Sequence, residues 1–191
     1  MTHAEEAQIN REMPYAKVAM CWFLASEVMT FGGFLTAYVL FRAAAQGGWG
    51  PLAAHLNPVI ATINTVVLLT SSLTIVKAHQ AMLHDDQQKA KRLLGITALL
   101  GIAFLGLKAV EYSIELSHGY TPVTHIFWSF YYVLTGLHAL HMVAGIVVNL
   151  VLRAHAAKGK LTLARAEAAG LYWHFVDIVW VFLFPLLYLS Y

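Results

Sequence analysis

Long apolar runs alternate with short polar segments along this chain. A membrane-length window finds five such runs, at residues 18–41, 59–76, 93–110, 126–152 and 171–189. Each run is near or above the ~18 residues that an α-helix needs to cross a bilayer. The pattern therefore predicts an all-α fold class, an integral membrane bundle of five transmembrane helices.

The polar segments divide into two unequal groups by their positive charge. Arg42 is the only Lys or Arg in the segments on one side of the membrane. The other side carries Arg11, Lys17, Lys77, Lys89, Lys91, Arg92, Arg153, Lys158, Lys160 and Arg165. Since loops rich in Lys and Arg stay on the cytoplasmic side, we expect the N-terminus inside and the C-terminus outside. Residues 1–17 are then a cytoplasmic tail, and residues 18–191 form one membrane domain.

The composition agrees with a membrane protein and excludes two other classes. Hydrophobic residues make up 59% of the chain and charged residues 12%, against roughly 25% charged in an ordinary soluble domain. So much apolar surface excludes intrinsic disorder. A net charge of +2 spread over 191 residues gives no basic face, so no nucleic-acid partner is expected.

Glu27 is the most costly residue in the predicted spans. It lies nine residues into the first span, about 14 Å deep and close to the middle of a ~30 Å hydrocarbon core. An ionisable group at that depth costs at least ~2.5 kcal/mol by insertion scales. Two interpretations stay open: a proton-exchanging or regulatory carboxyl, and a protonated acid whose hydrogen bond to a neighbouring helix holds the bundle together.

Three histidines and an aspartate form a second candidate group. His138 and His141 are three residues apart on the fourth span, and His174 and Asp177 repeat that spacing on the fifth. Residues at this spacing share one helix face, and the set is chemically able to bind a divalent metal. An intramembrane metalloenzyme is therefore one hypothesis. Hydrogen bonding between helices is the favoured one, with no catalytic residue and no metal ion predicted.

Depth along the helices suggests partners for these groups. His141 lies about 8 Å and Asp177 about 9 Å from the inner face, so we expect a hydrogen bond between them. Glu27 and His138 lie at similar depth and form a second candidate pair.

Lys108 and Glu111 are spaced i,i+3 near the outer end of the third span. That spacing lets opposite charges neutralise each other on a helix surface. Since a long side chain near a helix end can extend to the interface, we expect an exposed ion pair with no further role.

Several motifs follow one another in order along the chain. The last apolar run contains WHFVDIVW, the run before it contains GLHALH, and the first contains FLASEVMTFGG. The segment NPVIATINT in the second run, and the pair EY after the third, complete the set. In this order, over residues 16–191, they resemble the subunit III family of haem-copper terminal oxidases. The matching residues include Glu27, Glu111, Tyr112, His138, His141, His174 and Asp177.

The resemblance implies a subunit without a redox centre of its own. Haems and copper are then expected in partner subunits, and bound phospholipid is the one ligand expected on this chain. The implied partners are the catalytic subunit I, in direct contact, subunit II, other subunits of the complex, and membrane lipids. The implied roles are stabilising subunit I, sustaining its proton uptake and guiding oxygen to it through lipid. The implied location is the inner (plasma) membrane of a bacterial cell.

One departure from the longer family members affects the functional interpretation. Those members have seven helices, two of them before the carboxylate-bearing helix, whereas this chain has the later five. Shorter relatives associated with quinol oxidases and nitric oxide reductases are therefore an alternative. Glutamate at position 27 favours a cytochrome c oxidase, because aspartate is common there in quinol oxidases. A small proton-coupled transporter is disfavoured, since the sequence shows no internal repeat or broken helix.

Overall fold

The computed structural model describes residues 3–46 and 48–189, with side chains from Val18 onward in those ranges. All regular structure in the described ranges is helical. The helices are α1 (His3–Ala44), α2 (Gly50–Ala53), α3 (Pro58–Leu83), α4 (Gln87–Ser117), α5 (Ile126–Ala157) and α6 (Leu163–Tyr188). Residues 3–17, expected as a polar tail, continue α1, and the side chains of Arg11 and Lys17 lie outside the described part.

Five helices are long and apolar enough to cross a membrane. They are residues Val18–Ala44 of α1 and the whole of α3, α4, α5 and α6. This finding confirms the predicted all-α bundle of five spans. The helices continue past the predicted spans at their polar ends, as in α4, which covers Gln87–Ser117 where hydropathy alone predicts 93–110.

Side-chain caps explain where two of these helices begin. The Asn57 side chain accepts hydrogen bonds from the backbone N–H groups of Val59 and Ile60 at the start of α3. The Asp86 carboxylate accepts from the backbone N–H of Lys89 at 2.9 Å. Such caps satisfy N–H groups that have no partner within the helix. The first turns of α4, residues 87–92, are themselves polar, so a hydropathy window places the start of that helix too far inward.

Helices α3, α4, α5 and α6 form the body of the bundle, and α6 is the most buried of the five spans. Half of its most apolar window is buried, compared with 6% for α1. The indole of Trp173 on α6 lies against two glycines of neighbouring helices. A Cβ added at Gly101 of α4 or at Gly145 of α5 would come within 2.9 Å of this ring, so both positions require the absence of a side chain.

Helix α1 lies along α5 and α6 and is largely exposed. Phe31 and Tyr38 are its buried hydrophobic residues within the described part, and Tyr38 donates a hydrogen bond of 2.8 Å to the carbonyl of Leu186. Its open face carries large apolar side chains, among them Val18, Trp22, Val28, Met29, Val39, Leu40 and Phe41. An apolar face of this kind belongs in lipid or against another membrane protein.

Candidate functional site

A buried ion pair joins α4 to the two helices that follow it. Lys108 Nζ lies 3.1 Å from Glu111 Oε2, with side chains only 4% and 1% exposed. Lys108 also donates to the hydroxyls of Tyr188 at 2.7 Å and Tyr131 at 3.2 Å. Both tyrosines donate in turn to Glu111 Oε1, Tyr131 at 3.0 Å and Tyr188 at 2.5 Å. We call these four residues the outer cluster, after the outward orientation that the charge pattern predicts for this end of the bundle.

The expectation of an exposed Lys108–Glu111 pair is therefore wrong, although the pairing itself is right. Aromatic rings on α4, α5 and α6 enclose the ammonium group, with centroids 4.8–5.6 Å from Lys108 Nζ. Such rings attract a cation through their negative faces. Hydropathy cannot show this enclosure, because it depends on which side of α4 the neighbouring helices cover.

Glu115 lies one turn beyond the outer cluster and is 2% exposed. Its Oε2 has no hydrogen-bond partner among the described residues. Two carboxyl groups and one ammonium group are thus buried within two turns of α4. Removal of the ammonium group would leave the acids without a counter-charge in a low-dielectric setting, which is strongly unfavourable.

The second pair connects α1 to α5. His141 Nε2 lies 3.1 Å from Glu27 Oε2, and His141 Nδ1 lies 2.9 Å from the carbonyl oxygen of Leu137. Since a carbonyl only accepts, Nδ1 carries a hydrogen, and the contact between Nε2 and the carboxyl holds one further proton. That proton lies either on Glu27, as a neutral acid, or on His141, as an imidazolium.

This pair is less enclosed than the outer cluster, with side chains 12% exposed for His141 and 18% for Glu27. The ring of Phe31 packs edge-on against the imidazole at a centroid distance of 5.2 Å. Tyr172 donates a hydrogen bond of 3.0 Å to the backbone carbonyl of His141. The pair therefore lies at the seam between α1 and the rest of the bundle.

His138 does not contact Glu27, so the candidate pair suggested by depth is wrong. It is 1% exposed and lies between the rings of Phe104, at 5.5 Å, and Trp180, at 5.2 Å. Neither ring nitrogen has a hydrogen-bond partner among the described residues. Three residues fall about 60° short of a full helical turn, so the two side chains point about 60° apart. That difference is enough for His138 to face α4 and α6 while His141 faces α1.

The predicted hydrogen bond between His141 and Asp177 is also wrong. Asp177 is 4% exposed, and its Oδ2 lies 3.8 Å from Nδ1 of His174 on its own helix. The hydroxyl of Ser72 on α3 lies 2.8 Å from the same Nδ1. His141 and Asp177 have matching depth, but the side of α6 that carries Asp177 faces α3 rather than α5.

Ser72, His174 and Asp177 do not form a hydrolytic triad. In a triad the hydroxyl and the carboxylate contact opposite nitrogens of the imidazole, whereas here both approach Nδ1. The four residues of the metal hypothesis lie in three separate surroundings. Among the described residues, no three His, Cys, Asp or Glu side chains are placed to hold a metal ion.

Sequence reasoning missed the hydrogen bonds between α6 and α3. The indole of Trp173 donates to Ser71 Oγ at 2.9 Å, and that of Trp180 donates to Thr65 Oγ1 at 3.0 Å. The tryptophans are seven residues apart and the hydroxyls six, as expected for facing stripes on antiparallel helices. Matching the indole stripe of one span to the hydroxyl stripe of another is the signal that predicts this contact.

Comparison with known proteins agrees with the motif resemblance. The family model described as cytochrome c oxidase subunit III matches residues 8–190. A relative named cytochrome c oxidase subunit 3 from Thermostichus vulcanus is 37% identical over 174 residues, covering 87% of this chain and 83% of the relative. Its counterpart from Bacillus sp. (strain PS3) is 38% identical over 170 residues, covering 87% and 82%.

A probable cytochrome c oxidase subunit 3 from Mycobacterium bovis is 36% identical over 183 residues, covering 94% of this chain and 90% of the relative. The family-model match extends through all five spans. The chain therefore belongs to the cytochrome c oxidase subunit III family of haem-copper oxidases.

Proposed function

We propose that this chain is the non-redox subunit III of a respiratory cytochrome c oxidase, in direct contact with subunit I and assembled with subunit II. Membership of the family makes it a multi-pass membrane subunit of an oxidase complex. The observation that carries the proposal is the match over residues 8–190. The open apolar face of α1 supports it, since a partner subunit or bound phospholipid would cover that face.

The chain itself would contain no catalytic centre and would act on subunit I by contact. Stabilisation, proton uptake and oxygen access through lipid are the proposed contributions. For proton uptake, the Glu27–His141 pair is the best-placed group, because its single shared proton lies at a partly exposed seam. The outer cluster is buried, with four aromatic rings around Lys108, and its proposed role is stability.

Purification through an affinity tag on this chain tests the assembly. We expect haem absorption and oxygen consumption with reduced cytochrome c to elute with the tagged chain. Elution without a haem protein would contradict the proposal. Oxygen consumption driven by a quinol and not by cytochrome c would support the proposed assembly and contradict only the proposed electron donor.

Proton uptake is tested with Glu27→Gln in the assembled oxidase. Glutamine retains a hydrogen bond to His141 but cannot exchange a proton, so we expect slower proton uptake during turnover with unchanged assembly. Thr30→Val is the matched control, because Thr30 lies on the same helix, is exposed and, among the described residues, bonds only to the carbonyl of Ser26. Equal uptake rates in the two variants would exclude a role for Glu27.

The proposed location is the plasma membrane of a bacterium, with the N-terminus inside and the C-terminus outside. Ten Lys and Arg on one side against Arg42 on the other support this orientation. Reporter fusions at Asp85, Gly119 and Gly159 should read inside, outside and inside. An outside signal at Gly159 would contradict the proposed topology.

A further inference from the structure

A pocket lies between α3 and α6, near the end of the bundle at which α6 begins. It has a volume of about 190 Å³. Two histidines and a glutamate line it, and the lining also includes apolar residues and a glycine: His79, His174, Glu167, Ile75, Leu171 and Gly170. Each of the three polar side chains can accept or release a proton. Titratable groups from two helices therefore meet at one opening.

The pocket reaches from the membrane surface to a point below it. His79 lies three residues beyond the predicted second span, and Glu167 four residues before the predicted fifth, so both lie at the level of the lipid headgroups. His174 lies about 5 Å and Asp177 about 9 Å past the start of the fifth span at 1.5 Å per residue. The side chain of His174 is 37% exposed, whereas Asp177 is buried. The histidine thus lies between the pocket and the buried carboxyl group.

Asp177 is a buried acid whose hydrogen bonds are not satisfied. Neither of its carboxyl oxygens has a hydrogen-bond partner among the described residues. An ionised carboxylate is very costly in such surroundings unless it is paired, so we expect this group to hold a proton. His174 is the titratable side chain that the structure places beside it, with Nδ1 at 3.8 Å from Asp177 Oδ2.

His174 has the geometry of a proton relay. Ser72 Oγ lies 2.8 Å from its Nδ1, which orients the ring and allows Nδ1 to donate a hydrogen to the hydroxyl. Nε2, on the opposite side of the ring, is then the basic nitrogen. A proton taken up at Nε2 gives an imidazolium, which can release its Nδ1 proton to Asp177 Oδ2. A movement of about 1 Å brings these two atoms within hydrogen-bonding distance.

The transfer needs no other reactant. One N–H bond forms at Nε2, the N–H bond at Nδ1 breaks, and an O–H bond forms on the carboxyl group of Asp177. The imidazole of His174 ends neutral, with its hydrogen on Nε2, and loss of the proton from Asp177 follows the same steps in reverse.

We propose that His174 transfers protons between this pocket and Asp177, which makes the α3–α6 face a proton-exchange site at the inner end of the bundle. The titratable groups that face the relay are Glu167 and Asp177 from α6 and His79 from α3. His79 and Glu167 collect protons at the mouth of the pocket, since both lie at the membrane surface. The site is separate from the Glu27–His141 pair, and only its assignment to the inner side rests on the proposed orientation.

The test follows the carboxyl C=O stretch of Asp177 by infrared spectroscopy of the whole purified oxidase after transfer to D₂O. Asp177→Asn identifies the band. We expect a protonated carboxyl band in the unaltered complex, which shifts as deuterium replaces the proton. His174→Gln keeps a hydrogen bond to Ser72 but cannot relay a proton, so exchange should slow on the order of a hundredfold. His155→Gln is the matched control, because His155 lies at the same end of the bundle and bonds to the carbonyl of Val151 on its own helix.

Two outcomes of this experiment would overturn the proposal. The first is the absence of a protonated Asp177 band in the unaltered complex. The second is an equal exchange rate in the His174 and His155 variants, because a histidine with a purely structural role would not change that rate.

Gly170→Leu provides a second test, which obstructs the pocket without changing a titratable group. Nothing lies within 4 Å of a Cβ added at Gly170, so the longer side chain can extend into the pocket. Gly106→Leu on α4 is the matched control, since its added Cβ also meets nothing within 4 Å. We expect slower exchange at Asp177 in the first variant and unchanged exchange in the second.

Equal exchange in the two glycine variants would show that protons reach Asp177 by another route and would overturn the proposal. The readout in both tests is the exchange of one carboxyl band. Its failure is therefore distinguishable from failure of the proposed assembly, electron donor or proton uptake through Glu27.

Discussion

Two of the acid–base pairs among the described residues have opposite surroundings. Lys108 and Glu111 have side chains 4% and 1% exposed, and two tyrosine hydroxyls complete their hydrogen bonds. Glu27 and His141 are 18% and 12% exposed, and they join the body of the bundle to its least buried helix. The first pair lies within α4 and reaches its neighbours through tyrosine hydroxyls, whereas the second joins α1 to α5 directly and is the more exposed of the two.

The difference shows how a membrane bundle can hold charge for two purposes. Removal of either partner from a fully enclosed pair strongly destabilises the fold, because the remaining charge has no water to solvate it. A pair at a seam is held weakly, since hydrogen bonds between membrane helices average only ~0.6 kcal/mol. We therefore propose that the outer cluster serves stability and the Glu27–His141 pair proton exchange.

The largest expected effect comes from breaking the outer cluster. Lys108→Met leaves Glu111 without its counter-ion and should destabilise the chain by about 3–5 kcal/mol, as for other buried pairs with one partner removed. Thermal melting of helical circular dichroism, together with retention of the chain in the oxidase, measures this loss. Lys108→Met/Glu111→Leu should recover part of it, because no isolated charge of the pair remains. A loss no larger than that of Glu27→Gln would remove the contrast between the two pairs.

The next-largest effect tests the close packing that distinguishes the body of the bundle from the exposed helix α1. Gly101→Ala places a Cβ 2.9 Å from both Trp173 and Ile146, and overpacking of this kind costs about 1–3 kcal/mol. Gly106→Ala is the control on the same helix, since nothing lies within 4 Å of its added Cβ. We expect a lower melting temperature for the first variant and little change for the second. Equal melting temperatures would show that the core of the bundle accommodates the added methyl group at little cost in stability.

Much of the fold could be predicted from the sequence, because hydropathy and helix length report directly on the membrane. The five spans are confirmed, and so is the i,i+3 pairing of Lys108 with Glu111. The partners of His141 and Asp177 could not be predicted in the same way. Depth follows from the residue number, but the direction in which a side chain points depends on how neighbouring helices are arranged around it. In each wrong pairing, the two residues lie at similar depth but their side chains point toward different helices.

A smaller effect distinguishes adjacent serines on α3. Ser71 is buried and accepts the indole hydrogen bond of Trp173, whereas Ser72 contacts His174, whose side chain is 37% exposed. Ser71→Ala leaves a buried N–H unsatisfied and should cost about 1–1.7 kcal/mol, toward the upper end of the values for hydrogen bonds between membrane helices. Ser72→Ala should cost less than about 0.5 kcal/mol, as for other partly exposed positions. Melting of the two variants in one detergent measures the difference, and equal losses would show that enclosure does not set the cost.

The smallest effect, and the sharpest test of the seam, is the coupling between Glu27 and His141. A double-mutant cycle with Glu27→Ala and His141→Leu should give a coupling free energy of about 0.6 kcal/mol, the average for membrane hydrogen bonds. Asp177→Leu combined with His141→Leu is the matched control, since these residues do not contact each other, and its losses should add. Apparent unfolding free energies in detergent supply both cycles. A Glu27–His141 coupling of several kcal/mol would make this pair as structural as the outer cluster, because an interaction that strong would oppose the transfer of its proton to any other group.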